Sequence, residues 1–142
     1  MTQTLHLMVG LPRSGKSTKA RELGYPIVEP DAIRMVMHGT PWKPNMESLV
    51  WSHAHIMVES LFQAGHEDVI VDATNHTRRR RDEWTSSQWA IRLHVVDTPT
   101  EVCIQRAIDT RQGYRRGSLR IIFRPSNIPP KASPVGLLKV IK

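Results

Sequence analysis

Apolar and β-branched residues gather in three short runs, Leu5 to Val9, Val69 to Asp72 and Ala90 to Val96, and the stretches between them carry helical rather than alternating patterns. Runs of this length predict strands buried on both faces, as in a parallel sheet covered by helices. A weaker strand is expected from Pro26 to Val28. After it Pro30-Asp31 opens a helix, with Asp31 as N-cap and Ala32, Ile33, Met35 and Val36 as its apolar side, and His38-Gly39-Thr40-Pro41 ends it. A long helix is predicted over 46–64, with Leu49, Val50, Ile56, Met57, Ser60, Leu61 and Ala64 drawing its inner face and Gly65 closing it. Another runs from Thr77, as N-cap, to Gln88. Trp51, Trp84 and Trp89 are read as helix residues in the core. Asp97-Thr98-Pro99 introduces a further helix through Val102, Cys103, Ala107 and Ile108. Beyond Arg111 the pattern loosens, and the Pro-rich stretch from Pro125 to Pro134 leads to a last short strand, Leu137 to Ile141. Strands alternating with helices over short connections predict an α/β, three-layer sandwich whose mostly parallel sheet binds ligands at the carboxyl ends of its strands.

The first strand runs into Gly10-Leu-Pro12-Arg13-Ser14-Gly15-Lys16-Ser17-Thr18, a complete phosphate-binding loop of the form G-x-x-x-x-G-K-[ST]. Its glycines let the backbone wrap so that successive N–H groups point at one anion. Lys16, expected to face solvent, neutralises the terminal phosphates, and the Ser17 hydroxyl is placed to ligate a magnesium ion. A helix starting near Lys16 adds its positive end to the same spot.

Composition narrows the setting. The chain has 142 residues, 39% of them hydrophobic, with no compositional break, so residues 1–142 read as a single domain. One cysteine, Cys103, excludes an internal disulfide and is read as a buried helix residue. No stretch has the form of a signal peptide or a membrane span, so a cytoplasmic protein without a membrane partner is expected. The sequence leaves a homo-oligomer open. The net charge of +7 is unevenly placed: residues 1–105 carry 11 basic and 12 acidic side chains, whereas residues 106–142 carry 9 basic ones against Asp109 alone. Such asymmetry points to a polyanionic ligand near the C-terminal segment, or to a solvated basic face.

Two acidic positions bear on chemistry. Asp72 ends its strand, where a carboxylate can hold magnesium or its water shell, or cap the turn Asp72-Ala73-Thr74-Asn75, in which Thr74 and Asn75 would make local hydrogen bonds. Asp31 and Arg34 lie three apart, so both reach one side of a ligand, the carboxylate taking a proton from a hydroxyl and the cation holding an anionic group; the plainer alternative is a capping Asp with a surface ion pair. Arg78 to Arg81 fan round a helix and cannot all face one ligand. Trp42 beside Lys43 has the chemistry of a base-stacking platform or of a packed rim residue. His53 and His55 diverge on a helix, which argues against a histidine metal site.

Taken in order, Gly10 to Thr18, Glu29-Pro-Asp31-Ala-Ile-Arg34, Val71-Asp72-Ala-Thr-Asn75 and a later Arg-rich segment resemble phage-type polynucleotide 5′-kinases over about residues 5 to 120. The resemblance implies a P-loop kinase fold with ATP and magnesium as cofactors and a function in nucleic-acid end repair. Gly10, Pro12, Arg13, Ser14, Gly15, Lys16, Ser17 and Thr18 would bind the nucleoside triphosphate, with Ser17 and Asp72 at the metal. Asp31 would be the general base for the 5′-hydroxyl end of DNA or RNA, and Arg34 and Asn75 would bind that acceptor. An Arg-rich lid over about 106–125 would clamp the moving phosphoryl group through Arg111, with Arg106 behind it, and Arg115 and Arg116 as competitors. The family more often carries a small residue at the place of Arg13 and Arg-Asn where Arg106 precedes Ala107. The alternatives are a kinase of the same build for a small metabolite, antibiotic or nucleotide, and a nucleotide- or nucleic-acid-binding module without phosphotransfer.

Overall fold

Strand β1 (Gln3–Val9) sits at the middle of the sheet, flanked in parallel by β3 (Asp68–Val71) and β4 (Trp89–Val95). The computed structural model describes residues 2–40, 43–109 and 140–141 of the chain. The short β2 (Ile27–Val28) extends the sheet beyond β3, and β5 (Val140–Ile141) closes the other edge antiparallel to β4, in the order β2-β3-β1-β4-β5. Between them run α1 (Lys16–Leu23), α2 (Pro30–His38), α3 (Glu47–Gln63) behind a 3-10 turn at Pro44–Met46, α4 (Arg78–Asp82) and α5 (Thr100–Asp109).

Alternation along the strands divides the core between two layers. Leu5 and Leu7 of β1, Val69 and Val71 of β3 and Ile91 of β4 face Val50, Ala54, Val58 and Phe62 of α3. Met8 and Ile70 point the other way, onto Ala20 and Leu23 of α1. Cys103 and Ala107 of α5 pack on Leu11 of the phosphate-binding loop, so Cys103 is the buried helix residue expected. The α/β three-layer P-loop fold is therefore as the sequence implies. Because the inner strands are parallel, Gly10, Glu29 and Asp72, each following its strand, share the carboxyl edge of the sheet. Among the described residues no helix is long and apolar enough to cross a membrane.

Several elements differ from expectation. The N-cap of α2 is Glu29, with Pro30 in the first helical position and Asp31 inside the first turn. The inner face of α3 is the i, i+4 row Val50-Ala54-Val58-Phe62; Leu49, Ile56 and Met57 of the expected face are exposed, because the α2 side and the sheet contact a stripe turned from the one drawn by apolar count. Helix α4 begins as expected, with the Thr77 hydroxyl accepting from the Arg80 N–H at 3.1 Å, but stops at Asp82 instead of Gln88. Burial of Trp84 turns the chain inward through i→i+3 bonds from the Trp84 and Thr85 N–H groups, and Trp89 is a strand residue of β4. Trp42, most of the expected lid including Arg111, Arg115 and Arg116, and Leu137 lie outside the described residues.

Candidate active site

The phosphate-binding loop is shaped by two backbone requirements. Gly15 has φ 101°, in the left-handed region glycine tolerates, and stands just before α1 with no side chain capping that helix. At Gly10 the need is space: a Cβ there would lie 2.8 Å from Ser14 Oγ and 2.9 Å from the Val96 carbonyl. The amide of Gly10 donates to Thr74 O at 3.1 Å, and Thr98 Oγ1 donates to Ser14 O at 2.6 Å, so the loops after β3 and β4 brace the loop from both sides. Thr98 carries no sequence motif; only the parallel alignment of β4 with β1 brings it there.

Lys16 does not face solvent. It is buried, and its Nζ donates to Leu11 O at 2.9 Å. Burial lowers its pKa from the ordinary lysine value, opposed chiefly by the fields of Asp72 and Asp31. The Ser17 hydroxyl donates to Asp72 Oδ2 at 2.7 Å. A hydroxyl and a carboxylate in contact are hard oxygen donors that suit magnesium, which takes few protein ligands and completes its shell with phosphate and water. No group of three or more His, Cys, Asp or Glu among the described residues could hold a metal by itself. Glu29 adds a third carboxyl at this edge; burial first, then Asp72 and Asp31, raise its pKa.

Asp31 and Arg34 do meet: Arg34 Nη1 donates to Asp31 Oδ1 at 2.6 Å. The sequence did not signal their partner. Glu47, at the start of α3, accepts from Arg34 Nε at 2.7 Å and from Nη2 at 2.8 Å. Arg34 holds the Glu47 carboxyl below the usual carboxylate range, and that bond also raises the Arg34 pKa. The side chains of Arg34 and Glu47 are 12% and 18% exposed, whereas that of Asp31 is 77% exposed.

Asn75, expected to bind the acceptor, is buried at φ 44°, with Nδ2 donating to Met8 O at 2.8 Å. Its side chain ties the β3 loop to β1. Arg81 supports the same loop by donating to the carbonyls of Asn75 and His76 at 2.9 and 3.0 Å. Within the arginine run, Arg78 and Arg79 are exposed opposite Asp82 and Glu83, while Arg80 lies 3.8 Å over the Trp51 ring. Arg106 reaches the rim of the phosphate-binding loop and donates to Arg13 O at 3.0 Å; Pro12 and Arg13 are half-buried, and Thr18 is exposed.

Residues 5–118 match the AAA domain family. No curated protein sequence matches the chain. Of solved structures, a chain of the Pnkp1/Rnl/Hen1 complex is similar at 27% identity and a TM-score of 0.68, over 81% of this chain and 42% of that one, so the protein spans less than half the length of that relative. A sugar kinase from Janibacter sp. HTCC2649 has the same fold at 20% identity and a TM-score of 0.63, over 95% and 82% of the two chains. A gluconokinase from Sinorhizobium meliloti 1021 has it at 20% and 0.54, over 95% and 79%. With well over half of its length matched, the chain belongs to the AAA domain family.

Proposed function

We propose that the protein is an ATP-dependent polynucleotide 5′-hydroxyl kinase. The observation that carries this reading is the exposed Asp31 carboxylate, paired with Arg34 in the first turn of α2 at the same sheet edge as the phosphate-binding loop. The 27% identity to a chain of the Pnkp1/Rnl/Hen1 complex supports a nucleic-acid acceptor, as does the excess of basic residues beyond Arg106.

The loop amides and the α1 N-terminus receive the β- and γ-phosphates, and Lys16 leaves the Leu11 carbonyl for them. Ser17 and Asp72 would hold magnesium, whose charge offsets that of the phosphates. Asp31 orients the acceptor hydroxyl for in-line attack and takes its proton; the acceptor O–Pγ bond forms as the bond from Pγ to the bridging oxygen breaks, and ADP leaves. Arg106, with Arg111 of the segment outside the described residues, would neutralise charge on the moving group. The setting is cytoplasmic end repair of DNA or RNA.

A second reading, a kinase for a small polyol or other metabolite, is favoured by Glu47: with two of its donors on that carboxylate, Arg34 is partly neutralised at the acceptor side. Salt separates the two. Transfer of labelled γ-phosphate to a 5′-hydroxyl oligonucleotide should weaken log-linearly between about 50 and 200 mM salt, because basic side chains displace counterions from a phosphate chain. A flat salt response with no labelled oligonucleotide, and label on a sugar acid instead, would select the metabolite kinase.

A further inference from the structure

Arg34 is held by carboxylates on two sides. Glu47 takes its Nε and Nη2 donors at 2.7 and 2.8 Å, and Asp31 takes Nη1 at 2.6 Å. Trp51 lies one turn along α3 from Glu47, and its ring centroid is 6.0 Å from the Arg34 guanidinium carbon. The Trp51 ring lies beneath the Arg80 guanidinium at 3.8 Å and edge-on to the buried Trp84 at 6.3 Å, which anchors the row in the core. An exposed aspartate alone samples several rotamers, and a general base works only when held within hydrogen-bond reach of the proton it takes. A long arginine can fix it only if pinned in turn.

From this geometry we propose that Glu47, Arg34 and Asp31 act as anchor, orienter and base: Glu47 fixes the guanidinium, and Arg34 holds one oxygen of Asp31 so that the other meets the acceptor hydroxyl. Arg34 and Glu47 are then positioning residues. The inference rests on the phosphoryl-transfer reading above and changes what it requires of the acceptor. A phosphate on the acceptor would share the Arg34 guanidinium with two carboxylates, so loss of the triad should slow transfer whether or not the acceptor carries that phosphate.

The test uses two acceptors, a nucleoside and its 3′-monophosphate, at saturating ATP. Glu47→Gln should lower kcat by about 10- to 100-fold on both alike, with the KM for ATP little changed, because a misplaced base slows the chemical step without touching nucleotide binding. Glu47→Asp, which keeps the charge and shortens its reach to Arg34, should give the same pattern more weakly; it serves if Glu47→Gln fails to fold by circular dichroism. Combining Glu47→Gln with Arg34→Gln should be no slower than Arg34→Gln alone, since Glu47 acts through the arginine. Loss confined to the 3′-monophosphate through its KM, additive losses, or an undisturbed kcat would each overturn the triad. Wild-type protein that phosphorylates neither these acceptors nor an oligonucleotide would overturn the kinase reading itself, and the triad with it.

Discussion

Lys16 donates to a backbone carbonyl of its own loop, buried and with its pKa lowered, and under the proposed function phosphates would add to the countercharge of Asp72 and Asp31. Lys16→Ala should therefore remove phosphoryl transfer, by about 100-fold or more, in a protein that still folds, because among the described residues its side chain hydrogen-bonds only Leu11 O. A transfer assay beside a thermal melt checks both halves; near wild-type turnover would refute a role for the loop. Asp31→Asn keeps the size of the side chain and loses the base, so kcat should drop by about 10² or more with ATP affinity preserved. Titration of ATP binding separates this from a structural role, in which binding and turnover would fall together. At this scale the loop and the Asp31–Arg34 contact were legible because each is written within a few residues of chain. The burial of Asn75 was not legible, because αL geometry and tertiary contact, not residue type, turn its amide onto Met8.

Among the elements, α3 shows where pattern and packing part. Its apolar residues cover more of the helix than one face can bury, and the row at Val50, Ala54, Val58 and Phe62 takes the sheet while Met57 is 41% exposed. Val58→Ala should cost about 1–3 kcal/mol, from lost burial and the cavity left behind, whereas Met57→Ala should stay within about 0.5 kcal/mol. Denaturant midpoints of the two variants decide the register, and the opposite order would contradict it. Helix α4 shows the reverse. Its start was readable from Thr77, but its end depended on where Trp84 found room in the core.

Across the whole molecule, one polar row crosses three strands of the sheet: Asp68 of β3 bonds His6 of β1 at 2.8 Å, and His6 bonds His94 of β4 at 2.8 Å. Burial, then the fields of His6, Arg92 and Lys19, pull the His94 pKa down from 6.5 to about 4. His55 and His76 are lowered too, each mainly by burial. A folded state that resists protonation the unfolded chain accepts loses stability as pH falls. Stability should thus be full above about pH 6.5 and decline toward pH 4, with His94 contributing about 1–2 kcal/mol after allowance for solvent screening of its half-buried ring. Denaturation curves of wild type and His94→Gln across that range test it; identical pH slopes would assign the effect elsewhere.

The sequence by itself determined the α/β class, the strand-loop-helix that binds phosphate, and the acids that follow β2 and β3, because each is written within one turn or one strand of chain, where covalent neighbours fix the geometry. Only the tertiary structure decided which face of α3 is inside, that Lys16 and Asn75 are buried, and that Thr98 braces the loop. It also decided that Glu47, 13 residues beyond Arg34, closes the row that holds Asp31. These are contacts between elements, set by the parallel order β2-β3-β1-β4 and by the packing of α2 on α3, and no local periodicity encodes which residues such packing brings together.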